Sequence, residues 1–136
     1  MRLNPNSMLK FMFIFGTVLD GAIAISWFLI ASGLKIPNIL NGYMGSGEDY
    51  QLAMYYGAMF MAGWTILLAW GAIKPIERRG LLLITSGFLF LSVIVELVYF
   101  GNMLEGIGFI FGVTKRLFVS LLFTGAYFYS LKIKES

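Results

Sequence analysis

Four long apolar stretches, separated by short polar segments, constrain this chain more than any other feature. They cover residues about 11–34, 51–73, 81–100 and 107–131. Each approaches the roughly 20 residues that an α-helix needs to cross the hydrocarbon core of a bilayer. None alternates apolar and polar residues as the strands of a membrane protein do. The sequence therefore predicts four transmembrane helices.

Composition excludes an ordinary soluble domain. The chain has 136 residues, of which 59% are hydrophobic and 12% are charged. Soluble proteins average roughly 25% charged residues, and a domain of this size has too little interior to bury so much apolar surface. We therefore expect one all-α integral membrane domain over residues 1–136, in which the four helices form an antiparallel bundle.

Lys and Arg at the predicted helix ends indicate the orientation. One side carries seven of them: Arg2, Lys10, Lys74, Arg78, Arg79, Lys132 and Lys134. The long first loop on the other side carries only Lys35, beside Glu48 and Asp49. By the positive-inside rule, both termini are cytoplasmic. The basic residues are thereby explained by the membrane edges, and no nucleic-acid partner is expected.

The chain contains neither His nor Cys. This absence removes disulfides, thiolate metal sites, His-ligated metals and every catalytic triad built on His or Cys. We expect no cofactor and no bound metal. Any proton chemistry must come from Asp, Glu, Lys or Tyr side chains.

Asp20 is the clearest ionisable residue inside a predicted span. It lies about 14 Å from the start of the first helix, near the bilayer midplane. Gly16 and Ala24 share its helical face, and small residues let another helix approach closely. We therefore expect Asp20 to point at protein rather than lipid. It is either a carboxylate that fixes helix packing or one that binds a proton or a cation.

Four further side chains are predicted at about the depth of Asp20. The second helix offers Trp64 and Thr65, the fourth offers Ser120, and Ser92 on the third lies slightly higher. Together these residues predict a small polar binding pocket with an aromatic wall. A Trp beside an acid is suited to an organic cation through cation–π attraction, although membrane Trp residues more often only pack.

Glu96 and Arg116 form a predicted charge pair, with Lys115 slightly beyond it. Glu96 lies about 22 Å from the start of the third helix, and Arg116 lies about 22 Å from the end of the fourth. Equal depth on antiparallel neighbours favours an ion pair, which is a common way to place charges inside a membrane. The pair would serve either as a structural clamp or as the wall of a water-filled functional vestibule.

A later start of the fourth helix, at Leu117, would dissolve that pair. Three glycines weaken a helix before this point: Gly106, Gly108 and Gly112. The residues between them are strongly apolar, however, and Leu117 to the end of the stretch would make a short span. We therefore prefer a long fourth helix with Lys115 and Arg116 facing inward.

Three classes of function are compatible with these features. The first is a non-enzymatic transport or permeation module of the cell membrane, with Asp20 as the site for an ion, a proton or a cationic solute. The second is an accessory or assembly subunit of a larger membrane complex, with structural buried charges. The third is a membrane enzyme acting on a lipid-like substrate. We favour the first, as a homo-oligomer, because three ionisable residues in so small a bundle exceed what packing needs.

Overall fold

The computed structural model describes residues 4–36, 45–101 and 106–132. Within these residues the protein is all-helical, with α1 over Pro5–Ala31, α2 over Glu48–Gly71, α3 over Gly80–Tyr99 and α4 over Ile107–Lys132. Each of the four helices is long and apolar enough to cross a membrane. Arg2 and Lys134, two of the basic residues predicted on the cytoplasmic side, lie outside the described residues.

α1 begins six residues before the start that its apolar stretch predicts. The Asn4 side chain accepts a hydrogen bond from the backbone N–H of Asn6 at 3.0 Å, and Pro5 occupies the first turn. Both features favour a helix start, because the cap satisfies a free N–H and the fixed φ of proline suits that position. Lys10 therefore lies within α1 rather than ahead of it.

α4 begins at Ile107, so the shorter helix starting at Leu117 is not formed. Gly106 lies directly before the helix with a φ of 93°, a conformation that glycine adopts without steric cost. Gly108 and Gly112 are both helical, and Gly112 is buried. The early start places Lys115 and Arg116 inside the helix.

The helices pack as two antiparallel hairpins. In the first hairpin, the Trp27 ring of α1 lies against Gly57 of α2, and the Phe13 ring lies against Gly71. Later residues of α1 therefore contact earlier residues of α2, which shows that the two helices are antiparallel. α1 also packs on α4, and α3 packs on α4. The four helices therefore surround a common interior, and of the four neighbouring pairs α2–α3 has the sparsest contact.

α2 and α3 contact each other sparsely, although a link of only eight residues joins them. The extensive contacts are instead those within the two hairpins, of α1 with α2 and of α3 with α4. One hydrogen bond crosses the sparse contact, from Trp64 Nε1 on α2 to Thr85 Oγ1 on α3 at 3.0 Å.

Five basic residues gather at the end of the bundle where α1 begins. This basic end carries Lys10, Lys74, Arg78, Arg79 and Lys132. Arg79 donates a 3.5 Å hydrogen bond to the Ser130 carbonyl, which ties the start of α3 to the end of α4. Arg78 donates to the Trp70 carbonyl and stacks over the Trp70 ring.

The large fully buried side chains lie in the half of the bundle nearest the basic end. They are Leu9, Phe13, Leu68, Leu82 and Phe123. Gly16 allows the Phe123 ring and Leu68 to meet α1 closely, since a Cβ at Gly16 would lie 2.9 Å from that ring. This apolar core fills the half of the bundle nearest the basic end. The charged residues of the interior lie in the opposite half.

The outer surface of the bundle is apolar. Large side chains such as Phe60, Val18 and Ile66 are 65–78% exposed. A soluble monomer rarely exposes continuous apolar surface of this kind. Such a surface suits helices that lie in lipid, where apolar side chains carry no exposure cost.

Candidate functional site

A cavity of about 260 Å³ lies between the four helices in the half opposite the apolar core. Its charged and polar lining comprises Asp20, Ser92, Glu96, Lys115 and Arg116. The rest of its wall is apolar or aromatic: Leu19, Ile23, Trp27, Met61, Leu89 and Val119. The predicted charge pair and the predicted Asp20 site therefore share one cavity.

The Arg116 guanidinium binds the Glu96 carboxylate through two hydrogen bonds. Nη1 donates to Oε1 at 2.7 Å, and Nη2 donates to Oε2 at 2.5 Å. The Arg116 side chain is only 11% exposed and the Glu96 side chain only 18%. The two-pronged geometry matches the planar guanidinium to both carboxylate oxygens, which makes such pairs strong and directional.

Two further hydrogen bonds fix the Arg116 side chain. Its Nε donates to the Gly112 carbonyl at 3.1 Å, and Nη1 also donates to Ser92 Oγ at 3.1 Å. The Ser92 hydroxyl in turn donates to the Leu89 carbonyl at 2.7 Å. Arg116 is thus held by groups on both α3 and α4, and the Glu96–Arg116 pair forms a rigid part of the cavity wall.

Asp20 and Lys115 line the same cavity from α1 and α4. The cavity lining thus holds one acid from α1 and two adjacent basic residues from α4, Lys115 and Arg116. The Asp20 and Lys115 side chains are both half-buried. Within the described part of the chain, no hydrogen bond ties Asp20 to another residue. Asp20 therefore differs from Glu96, whose two oxygens are both occupied.

The cavity lies closer to the end opposite the basic end. Asp20 is about 16 Å from the last residue of α1, and Lys115 is about 12 Å from the first residue of α4, at 1.5 Å per residue. One turn below Asp20, Gly16 contacts Phe123 and Leu68 of the apolar core. The core thereby separates the charged residues of the cavity from the basic end.

Three residues of the predicted pocket do not line the cavity: Trp64, Thr65 and Ser120. Trp64 turns toward α3, where it binds Thr85 and meets the Phe88 ring edge-on at 6.4 Å between centroids. The Thr65 hydroxyl donates to the Met61 carbonyl of its own helix at 2.8 Å. These groups satisfy their hydrogen bonds in packing contacts.

Ser120 belongs to a buried hydroxyl cluster between α3 and α4. Its Oγ lies 2.8 Å from Ser86 Oγ and donates to the Ser86 carbonyl at 3.1 Å. The Ser86 hydroxyl also lies 2.5 Å from Thr124 Oγ1. Hydroxyl contacts of this kind let two membrane helices approach closely and hold their register.

Trp27 and Met61 line the cavity but were not among the predicted site residues. Trp27 shares the helical face of Asp20, seven residues further along α1, so the signal for it is present in the sequence. Met61 lies one turn before Thr65 on α2 and looks like an ordinary filler. Only the packing of α2 on α1 brings it to the cavity.

Metal binding finds no support in the described residues. No group of three or more acidic, His or Cys side chains lies together there. The two acids that line the cavity are Asp20 and Glu96, and both Glu96 oxygens are already bound to Arg116.

Fold and site together define a class of protein. It is a four-helix bundle in which every helix is long and apolar enough to span a membrane, and in which charged groups surround an internal cavity. No protein-family model, no curated protein and no solved structure matches the chain. The geometry of the cavity is therefore the basis for a functional assignment.

Proposed function

We propose that this chain is a small multi-pass protein of the cell membrane that acts as a non-enzymatic transport or permeation module. Asp20 is its binding carboxylate, and the bound species is a proton, an ion or a cationic solute. The observation that carries this proposal is that Asp20 lines a cavity shared with Lys115, Glu96 and Arg116.

An acid that only fixed helix packing would be expected to meet donors on a neighbouring helix. Glu96 has that environment, because Arg116 binds both of its oxygens. Asp20 instead faces a cavity of about 260 Å³, far larger than the roughly 30 Å³ that one water molecule occupies in the liquid. Intramembrane acids that face such cavities typically mark an ion, proton or solute site.

The distribution of basic residues supports access from the outer side. If the basic end is cytoplasmic, the apolar core lies on the cytoplasmic side of Asp20 and the cavity lies toward the exterior. Both termini are then cytoplasmic. Gly16, with Leu68 and Phe123 packed against it, forms the barrier that a transported species would have to pass.

Transport through so small a bundle favours a homo-oligomer. Four helices leave little room for a pathway open to both sides, and here the basic half is filled by the apolar core. A path to the cytoplasmic side would therefore need rearrangement of the bundle or a neighbouring copy. The apolar outer surface suits either contact with lipid or contact with a second copy.

The proposal is tested with the full chain, purified and reconstituted into vesicles. Proton, Na⁺ and K⁺ flux and the binding of benzyltrimethylammonium are measured for wild type, Asp20→Asn and Asp49→Asn. Asp49 lies in the first turn of α2 and is the matched control. We expect Asp20→Asn to abolish the activity that wild type shows and Asp49→Asn to retain it. Equal activity of wild type and a folded Asp20→Asn variant would contradict the proposal.

An accessory or assembly subunit is the second candidate. The observation that favours it is that Trp64, Thr65 and Ser120 use their polar groups for packing rather than for the cavity. On this view Asp20 supports assembly with a partner in the membrane. Loss of a native membrane complex in Asp20→Asn, with no measurable flux or binding by wild type, would favour this candidate over transport.

A further inference from the structure

We propose that a second cavity, at the basic end, binds the phosphate headgroup of an anionic glycerophospholipid of the phosphatidylglycerol class. This basic cavity has a volume of about 340 Å³, which lies within the range of ligand sites in proteins. It is lined by Asn6 and Lys10 of α1 and by residues 72–77, which follow α2 and begin the link to α3. The proposal is independent of Asp20 and of the cavity that contains it.

The basic end carries positive charge that the protein itself does not neutralise. Its five basic side chains face one acid among the described residues of that end, Glu77. Arg78 and Arg79 donate to main-chain carbonyls, which are neutral acceptors. Within the described part of the chain, no hydrogen bond or ion pair engages Lys10. An anionic ligand therefore complements the charge of this end.

The lining of the basic cavity has two cations and one carboxylate: Lys10, Lys74 and Glu77. Lys74 Nζ lies 3.2 Å from Glu77 Oε2, and the two side chains are 57% and 67% exposed. Exposed pairs of this kind contribute little to stability, because water competes for both partners. Lys74 is therefore able to turn to a phosphate at low cost, while Lys10 keeps the lining positive.

The link that forms one wall of the basic cavity is held in place. The backbone N–H of Arg78 donates to the Lys74 carbonyl at 3.1 Å, and the Arg78 guanidinium donates to the Trp70 carbonyl. Pro75, between them, is buried. These contacts fix the backbone of Lys74 against the end of α2, so the cavity is part of the folded bundle.

An exposed apolar face runs from the basic cavity along α2. Ile66, Trp70 and Ile73 follow at spacings of four and three residues, which places them on one side of the helix. All three are exposed, and Ile73 also lines the cavity. A phosphate in the cavity thus has acyl-chain contacts directly beside it. Basic pockets at the membrane edge of transmembrane helices typically bind anionic lipid headgroups, and this continuity favours a lipid over a soluble anion.

The polar groups of the lining favour an anionic lipid over a zwitterionic one. Phosphatidylcholine brings its own quaternary ammonium, which Lys10 and Lys74 would repel. Phosphatidylglycerol carries the same phosphate with a neutral glycerol. The Asn6 amide lines the cavity and offers both donors and an acceptor to the glycerol hydroxyls.

The first test compares lipid affinities of the full chain in detergent by native mass spectrometry. Wild type should prefer phosphatidylglycerol to phosphatidylcholine of the same acyl chains. Lys10→Gln and Lys74→Gln should each weaken phosphatidylglycerol binding about fivefold, equivalent to about 1 kcal/mol. Lys132→Gln removes the same charge from the basic end but outside the cavity, so it is the matched control and should match wild type. Equal weakening by all three variants, or by none, overturns the inference.

The second test uses a change of opposite sign. Glu77→Gln removes the one carboxylate of the lining and releases Lys74, so phosphatidylglycerol should bind about threefold more tightly. Glu48→Gln, in the first turn of α2 at the other end, is the control and should leave binding unchanged. Unchanged or weaker binding by Glu77→Gln overturns the inference.

The third test separates a lipid from a free phosphate. Glycerol 1-phosphate carries the headgroup phosphate without acyl chains, and it should not displace phosphatidylglycerol from wild type at equal concentration. Displacement at equal concentration would show a site for soluble anions and overturns the lipid assignment. The substituted side chains at positions 10, 74, 77 and 132 are all exposed, so each variant should unfold at the wild-type temperature in detergent without lipid.

Discussion

Arg116 holds Glu96 with two hydrogen bonds of 2.7 and 2.5 Å, while Lys115, the preceding residue, shares a cavity with Asp20. Two adjacent residues of α4 therefore bring positive charge to a cavity that also holds an acid from α3 and an acid from α1. The Glu96–Arg116 pair is rigid and connects α4 to α3. Asp20 of α1 lines the same cavity and carries the proposed function.

Breaking the rigid pair should destabilise the bundle. Glu96→Gln or Arg116→Gln leaves a lone charge where the side chains are 11–18% exposed, and breaking a buried pair typically costs ~3–5 kcal/mol. The double variant should be milder, because no lone charge remains. The measurement is a double-mutant cycle on unfolding in detergent. Strictly additive single effects would show that the two side chains do not interact.

A side chain at Gly16 should destabilise the bundle. Gly16→Ala would place a Cβ 2.9 Å from the Phe123 ring and 3.1 Å from Leu68, and overpacking of a core typically costs ~1–3 kcal/mol. Gly87→Ala, with open space around its Cβ, is the matched control and should be neutral or stabilising. Thermal unfolding compares the two. Equal melting temperatures would contradict the close contact between α1, α2 and α4.

Trp64 should matter for stability and not for binding. Trp64→Phe removes the 3.0 Å hydrogen bond to Thr85, and interhelical hydrogen bonds in membranes contribute about 0.6–1.7 kcal/mol. Affinity for benzyltrimethylammonium should stay within about twofold of wild type, since Trp64 does not line the cavity and twofold is less than 0.5 kcal/mol. Trp27→Phe should weaken binding, because the Trp27 indole lines the cavity. A loss of binding confined to Trp64→Phe would show that the binding site lies at Trp64 and not in the cavity.

The orientation is tested by labelling single cysteines. The chain has no Cys, so Ser46→Cys and Glu77→Cys each introduce one thiol, on opposite sides of the proposed membrane. A reagent that cannot cross the membrane should label Ser46→Cys in intact cells and label Glu77→Cys only after lysis. The reverse pattern would contradict cytoplasmic termini.

The apolar stretches predicted the helices well, because the length and hydrophobicity of a span depend on local sequence. All helix limits agree to within three residues except the start of α1. There the Asn4 cap and Pro5 extend the helix into a polar segment, which hydropathy alone does not detect. Both signals are present in the sequence.

The site was only partly predictable, for a geometric reason. Depth along a helix follows from residue counting, and it correctly relates Glu96 to Arg116. It does not give the rotation of each helix or the order of packing. Trp64 and Ser120 were placed at the depth of Asp20, but they face α3 contacts instead. Their contacts depend on how α2 and α4 are rotated toward α3, which residue counting does not give.

The reactivity of a cysteine at position 20 tests the central claim most directly. Thiols react as thiolates, which form in water and not in apolar packing. If Asp20 faces a hydrated cavity open to the exterior, Asp20→Cys should be modified by a small charged methanethiosulfonate added outside. Ser120→Cys, in the buried hydroxyl cluster, should stay unmodified in the folded protein. Modification of neither residue, or of both equally, would contradict the account.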